Sequence, residues 1–339
     1  MRPLKGPAML EPLYRLSYDT PSLVSRHPPV LKHPNKSLVW EIACRDRPES
    51  TGTLHVTRWG TSGVQDLSLP RSQAVEIRAG YYDYVPAGSH APSLEWHVNF
   101  ADPRLFVAYG SRLFAQDEMQ VAEHPVLGSL LEALKADGHS TWTCDDSGPT
   151  PILIQGAPRR VHVQTEPDPA AGRPYGLYGN LFAKADEEVI RRATRIVDPP
   201  TITNLIAMAA PAGGTGEYQE NEIRYAVTAA LTGFAAACDE SKQNHGPTAR
   251  TVIHSGFWGC GAFGGNRILM VALQSLAARA AGIDQLILHV GEPAGVEAAE
   301  RGLDVANALA LRCGSRCTLA KLIDRCLLLG YRWGVSDGN

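Results

Sequence analysis

The segment Trp258-Gly259-Cys260-Gly261-Ala262-Phe263-Gly264-Gly265-Asn266 follows a β-branched strand pattern, Thr251–His254, and precedes a long helical one, Asn266–Ala281. A strand that turns into a helix through clustered glycines has the build of an anion cradle. Glycine lets the backbone come close to a ligand, and the helix start aims N–H groups and a positive partial charge at it. The surrounding pattern supports an α/β chain. Asn204–Ala210 and Gln285–Val290 read as strands, and Glu220–Cys238, Glu297–Leu311 and Thr318–Leu329 as helices. Strands alternating with helices predict a sheet covered on both faces.

Upstream, Thr53–Trp59, Ala74–Ala79 and Leu94–Phe100 read as strands, and Phe114–Leu134 as a helix interrupted at Pro125. Pro149–Pro158 and Arg160–Gln164 read as two short strands, and Ala185–Ile196 as a helix. Residues 1–50 are rich in proline and mixed charge and are expected to form an N-terminal arm, with one short helix or strand at Ser37–Cys44, on a single domain spanning 51–339.

The chain has 339 residues, 44% of them hydrophobic and 20% charged, which suits a soluble globular protein with a sizeable core. A formal net charge of -3 argues against nucleic acid as the main partner. No apolar run is long enough to span a bilayer, and the start Met1-Arg2-Pro3-Leu4-Lys5 lacks a signal-peptide core. With seven scattered cysteines, this predicts a cytoplasmic protein without a disulfide framework. Cys313, Cys317 and Cys326 match no zinc spacing, and no metal or other cofactor is expected.

A second informative segment is Phe100-Ala101-Asp102, followed by Gln116-Asp117-Glu118 at a helix start. It supplies clustered carboxylates, the groups that glycosidic chemistry uses. Taken alone, Asp117 and Glu118 are also what a helix dipole favours in a first turn. That dipole lowers their pKa, whereas crowding of like charges raises at least one. Glu217, Glu220 and Glu222 form another acid group, but without a preceding Phe-Ala strand end.

The string Ser255–Arg267 resembles the signature of the poly(ADP-ribose) glycohydrolases, in which the same Gly-Cys-Gly-Ala-Phe-Gly-Gly run follows a tryptophan. Phe100-Ala101-Asp102 and Gln116-Asp117-Glu118 are similar to that family's Phe-Ala-Asn strand end and its glutamine with two glutamates. The family's triple glycine is replaced by Leu105-Phe106-Val107-Ala108-Tyr109-Gly110. An acid-rich version of the site resembles the MavL-type branch of the macrodomain superfamily. The resemblance implies a three-layer α/β/α sandwich with a mixed sheet. It implies an ADP-ribosyl glycohydrolase acting on ADP-ribose or an ADP-ribosylated protein, and it favours removal of mono-ADP-ribose from arginine. Glu118 would be the general acid/base, Asp117 would align ribose hydroxyls or water, and Asp102 would bind ribose or the leaving group. Gln116 and the run Gly259, Cys260, Gly261, Ala262, Phe263, Gly264, Gly265 and Asn266 would hold ADP-ribose. Tyr175, Tyr178 and Asn180 are candidates for adenine.

Three other readings stay open: a poly(ADP-ribose) glycohydrolase, a non-catalytic ADP-ribose-binding module, and an NAD-dependent dehydrogenase. The last rests on Gly259-x-Gly261-x-x-Gly264, which matches the dinucleotide fingerprint. Against it, the acid Glu292 comes about 30 residues on rather than about 20, and little chain follows to complete the sheet.

Overall fold

A computed structural model describes residues 11–45, 51–61, 66–70, 74–86 and 93–338. Among them, eight strands form one sheet: β1 (Pro12–Asp19), β2 (Thr53–Trp59), β3 (Ala74–Arg78), β4 (Ser93–Ala101), β5 (Ile152–Val163), β6 (Thr194–Ala209), β7 (Arg250–Gly256) and β8 (Gln285–His289). Their order is β1-β2-β5-β6-β4-β7-β8-β3. The first three run antiparallel to their neighbours, whereas β6, β4, β7, β8 and β3 are mutually parallel. The sheet is therefore mixed, unlike the parallel doubly wound sheet that the dehydrogenase reading requires.

Strand alternation divides the core between two layers of helices. Trp96, Val98, Ile206, Met208, Ile253, Leu286 and Leu288 face α6 (Glu220–His245), α7 (Arg267–Ala281), α8 (Ala294–Cys313) and α9 (Leu319–Leu327). On the opposite face, Ile152, Ile154, Leu205 and Ala207 meet α1 (Thr20–Arg26), α3 (Gln116–Glu123) and α4 (Val126–Ala136). Helices α2 (Pro34–Cys44) and α5 (Glu187–Ala193) share a third cluster with Phe114 and Phe182. This is the expected three-layer α/β/α sandwich.

The N-terminal stretch is more regular than its composition indicates. Residues 12–19 add the edge strand β1, and α1 and α2 follow it. Asp19 and His33 cap those helices, and a proline stands in the first turn of each, where its missing N–H is harmless. The two short strands expected at 149–164 are one continuous strand, β5, bent where its pairing with β6 shifts register.

Two connections place the site. From β4 the chain leaves through α3 and α4 on one face; from β7 it leaves through α7 on the other. Adjacent parallel strands whose onward helices take opposite faces leave a crevice at their carboxyl ends. The register shows it opening. Pairing between β4 and β7 stops at His97–His254, although β4 stays paired with β6 to Ala101 and β7 with β8 to Gly256.

Over β4, β7 and β8 the sheet carries histidines instead of aliphatic side chains. His97 stacks on His254 with ring centroids 4.3 Å apart, and Tyr82 and Tyr84 close over them. His254 bridges Glu95 Oε2 at 2.5 Å and His289 Nε2 at 3.0 Å. His289 Nδ1 donates to the Tyr81 carbonyl at 3.1 Å, so its Nε2 accepts from His254. His254 is thus a structural tie between strands.

Candidate active site

The crevice between β4 and β7 is a cleft of about 970 Å³. It joins the two sequence segments that lie far apart in the chain. Asp102, Gln116, Asp117 and Glu118 line it, as do Gly259, Cys260, Gly261, Ala262, Phe263, Gly265 and Asn266. Gly264 does not; its N–H turns back to Gly261 O at 2.9 Å and closes the loop. The competing acids Glu217, Glu220 and Glu222 lie outside the cleft, where Glu222 caps α6 by accepting the Gln219 N–H at 2.8 Å.

The glycine loop is built around two positions that only glycine fits. Gly259 has φ +76°, and a Cβ there would stand 2.4 Å from Ala210 Cβ. A Cβ on Gly265 would stand 2.7 Å from Gly259 O, the acceptor of its own N–H at 2.9 Å. Beneath the loop, the buried Trp258 donates to Met208 O at 3.0 Å, and the Cys260 thiol is pushed up to about 12 by burial. Burial thus disfavours the thiolate form of Cys260. Asn266 caps α7, accepting the Leu269 N–H at 3.1 Å. Phe263 is half-buried against the core. Among the described residues, the N–H groups of Gly261, Ala262 and Phe263 donate to no protein acceptor.

The opposite wall is the start of α3. Gln116 anchors it: Oε1 accepts the Phe100 N–H at 2.7 Å and Nε2 donates to Val98 O at 3.2 Å. Its amide thus satisfies the edge of β4 where β7 has parted from it. Glu118 Oε2 accepts the Ala115 N–H at 3.0 Å, as a third-position glutamate does at a helix start. Asp117 Oδ1 accepts from Asn99 Nδ2 at 3.0 Å.

Both acids are buried, and both sit above the ordinary carboxylate range. At Asp117 burial is the main cause and the Glu118 carboxylate the next. At Glu118 burial again leads, partly offset by the Lys36 ammonium. At Glu118 loss of solvent also outweighs the backbone N–H groups of Ala115 and of Glu118 itself, which pull the pKa down. Further along the same helix, burial also acts on Glu123, but His162 and Arg159 hold that carboxyl below its usual range. Arg159 Nε donates to it at 2.8 Å and the Val163 N–H at 2.8 Å. One helix thus presents two acids whose pKa is raised and a third whose pKa is lowered, the kind of separation that acid–base chemistry uses.

Asp102 lies at the rim, half-buried, with Oδ1 accepting the Arg104 N–H at 2.9 Å in a local turn. Where the resemblance implied a triple glycine, Leu105 and Phe106 plug into the core. Phe106 adopts φ 51°, and Val107 and Ala108 face the cleft. Tyr178 lines the cleft, whereas Tyr175 and Asn180 do not.

Three contributors were not foreseen. Lys36, from α2, is buried, donates to Tyr109 O at 2.9 Å and lies 4.9 Å from the Phe114 ring centroid. Burial lowers its ammonium to about 8, and Glu118 and Asp117 pull the other way. Tyr81 stacks parallel to Tyr178 with centroids 6.4 Å apart. Gly334, Val335 and Asp337 line the cleft beside the glycine loop. The run Tyr81-Tyr82-Asp83-Tyr84 just after Gly80 was the available signal for the first tyrosine; Lys36 and residues 334–337 carry no periodic or motif signal.

Residues 175–293 match the family model described as "Poly (ADP-ribose) glycohydrolase (PARG), Macro domain fold". The match includes the glycine loop and stops short of Gln116–Glu118. Through it the chain, a macrodomain-type sandwich, is distantly related to that family. Among solved structures, the poly(ADP-ribose) glycohydrolase of Thermomonospora curvata is similar at 16% identity, over 84% of this chain and 96% of that one, with a TM-score of 0.45. The Deinococcus radiodurans enzyme in complex with ADP-ribose is similar at 13% identity, over 84% and 97%, with a TM-score of 0.39. A search of curated proteins returns no match. Among the described residues, no helix is long and apolar enough to cross a membrane.

Proposed function

We propose that this protein is an ADP-ribosyl glycohydrolase. The observation that carries the reading is the single cleft in which an anion cradle faces two buried acids held above the usual carboxylate range. The diphosphate sits on the amides of the 259–266 loop. Phe263 packs against the distal ribose, and adenine lies toward the tyrosine pair Tyr81 and Tyr178, whose parallel rings suit a planar base. Glu118, protonated, gives its proton to the leaving group as the bond to the anomeric carbon breaks. The oxocarbenium-like state forms beside Asp117, and the Glu118 carboxylate then takes a proton from the attacking water. The net reaction adds one water across the glycosidic bond.

The family match favours ribose–ribose linkages, and so poly(ADP-ribose), over the arginine linkage that the resemblance put first. One observation keeps the arginine reading as the second: Asp102, Asp117, Glu118, Glu123 and Glu166 all line the cleft, a setting suited to a planar cation. Incubation with poly(ADP-ribose) and, separately, with arginine-ADP-ribosylated protein separates the two. Release of free ADP-ribose from the polymer alone is the expected result. Release only from the arginine substrate selects the second reading. ADP-ribose binding without release from either marks a binding module and defeats both.

Lys36 gives the site a pH signature. Its ammonium lowers Glu118, so in Lys36→Met that carboxyl rises further. A general acid acts only while protonated. The alkaline limb of the kcat/KM profile is therefore expected to move to higher pH in Lys36→Met. An unmoved or acid-shifted limb excludes Glu118 as the group that limb reports.

A further inference from the structure

Residues 332–337 run beside the glycine loop, with Gly334, Val335 and Asp337 lining the same cleft, and bond to its carbonyl groups. The Gly334 N–H donates to Gly264 O at 2.8 Å, Ser336 Oγ donates to Ala262 O at 2.7 Å, and the Asp337 N–H reaches Gly261 O at 3.4 Å. The segment is itself fixed at its base. Trp333 stacks on Tyr218 with centroids 4.4 Å apart and donates from Nε1 to Glu222 at 3.0 Å. The Tyr218 hydroxyl accepts the Asn266 N–H at 2.9 Å, and Asn266 Nδ2 donates to Arg332 O at 3.0 Å.

A peptide unit is planar and trans, so a carbonyl and the N–H of the next residue point in opposite directions. Holding the Gly261 and Ala262 carbonyls against the segment therefore turns the N–H groups of Ala262 and Phe263 away from it. These are amides with no protein acceptor among the described residues. We infer that residues 332–337 are a positioning strap that sets the peptide planes of the anion cradle, with Ser336 fixing the plane between Ala262 and Phe263. Without that bond the plane is free to turn over and present the Ala262 carbonyl to a phosphate.

The inference rests on the cradle holding a diphosphate, and two probes separate it from the proposed hydrolysis: ADP-ribose and inorganic pyrophosphate, titrated calorimetrically. Ser336→Ala is expected to weaken both about fivefold, the worth of one net hydrogen bond. Ser336→Thr, which keeps the hydroxyl, should restore wild-type binding. Gly334→Pro, which removes the N–H donated to Gly264, should weaken both at least as much. With a hydrolysable substrate, Ser336→Ala should raise KM and leave kcat within about twofold, because the acids stand on the other wall. Wild-type affinity for both probes in Ser336→Ala and Gly334→Pro, with unchanged melting temperatures, overturns the strap while leaving the hydrolysis reading intact. Tighter binding in either variant overturns it too, since the segment would then be a cover. Strap-dependent binding without release of ADP-ribose from any substrate sustains the strap and defeats the hydrolase. A wild-type protein that binds neither probe overturns the strap together with the cradle.

Discussion

Glu118→Gln is expected to lower turnover of an ADP-ribosyl substrate by about 10²–10⁴-fold, the span that a positioned general acid–base supplies. Glutamine keeps the shape of the side chain and an oxygen able to accept the Ala115 N–H, so the start of α3 is preserved. ADP-ribose affinity should stay within about threefold, because an interaction specific to the transition state affects kcat rather than ground-state binding. Single-turnover release of ADP-ribose measures the chemical step directly. Undiminished release would remove Glu118 from the reaction and turn attention to Asp117, its buried neighbour.

Gly259→Ala should weaken binding strongly by another route. The backbone there is left-handed, which costs a non-glycine residue about 1–2 kcal/mol. The new methyl would also meet Ala210 Cβ at 2.4 Å on a buried strand end that has no room to yield. Together these should destabilise the fold by about 2–4 kcal/mol, read as a drop in melting temperature. The loop must shift to relieve the clash, so ADP-ribose affinity should fall by about 100-fold or more. Gly282→Ala is the matched control. It too is left-handed, at the end of α7, but a Cβ there meets nothing within 4 Å. It should cost stability of order 1 kcal/mol and leave binding unchanged. Equal binding by the two variants would show that the Gly259 loop does not hold the ligand.

The legible parts of the site were those with local chemistry. The glycines at 259 and 265 mark backbone that a Cβ would obstruct, and that requirement is written in the residue type itself. Gln116-Asp117-Glu118 stood out through its similarity to a family motif, since acids at a helix start are by themselves what the dipole favours. The upward shift of their pKa was not legible, since it follows from burial by segments far away in the chain. Gln116 shows a related limit: its type suggests a ligand contact, but both ends of its amide bond the β4 backbone. Lys36 lies in a proline-rich stretch that looks like an arm, and only the fold carries it beneath Phe114. The strap bonds the loop through its own backbone and one serine, and main-chain donors leave no mark in composition.

The parting of β4 from β7 beyond His97 and His254 has a mechanical side. The acids ride on a helix of one layer and the glycine loop leads into a helix of the other. Across the opened seam, among the described residues, the Tyr82 hydroxyl reaches Val98 O at 2.9 Å and His254 O at 3.2 Å. A molecule gripped by its phosphates on one side and its sugar on the other would bridge that seam as a cross-brace, replacing the rungs that the two strands no longer share. Filling the cleft would then stiffen the two halves of the sandwich against each other, and emptying it would leave the seam as the line along which they most easily shear.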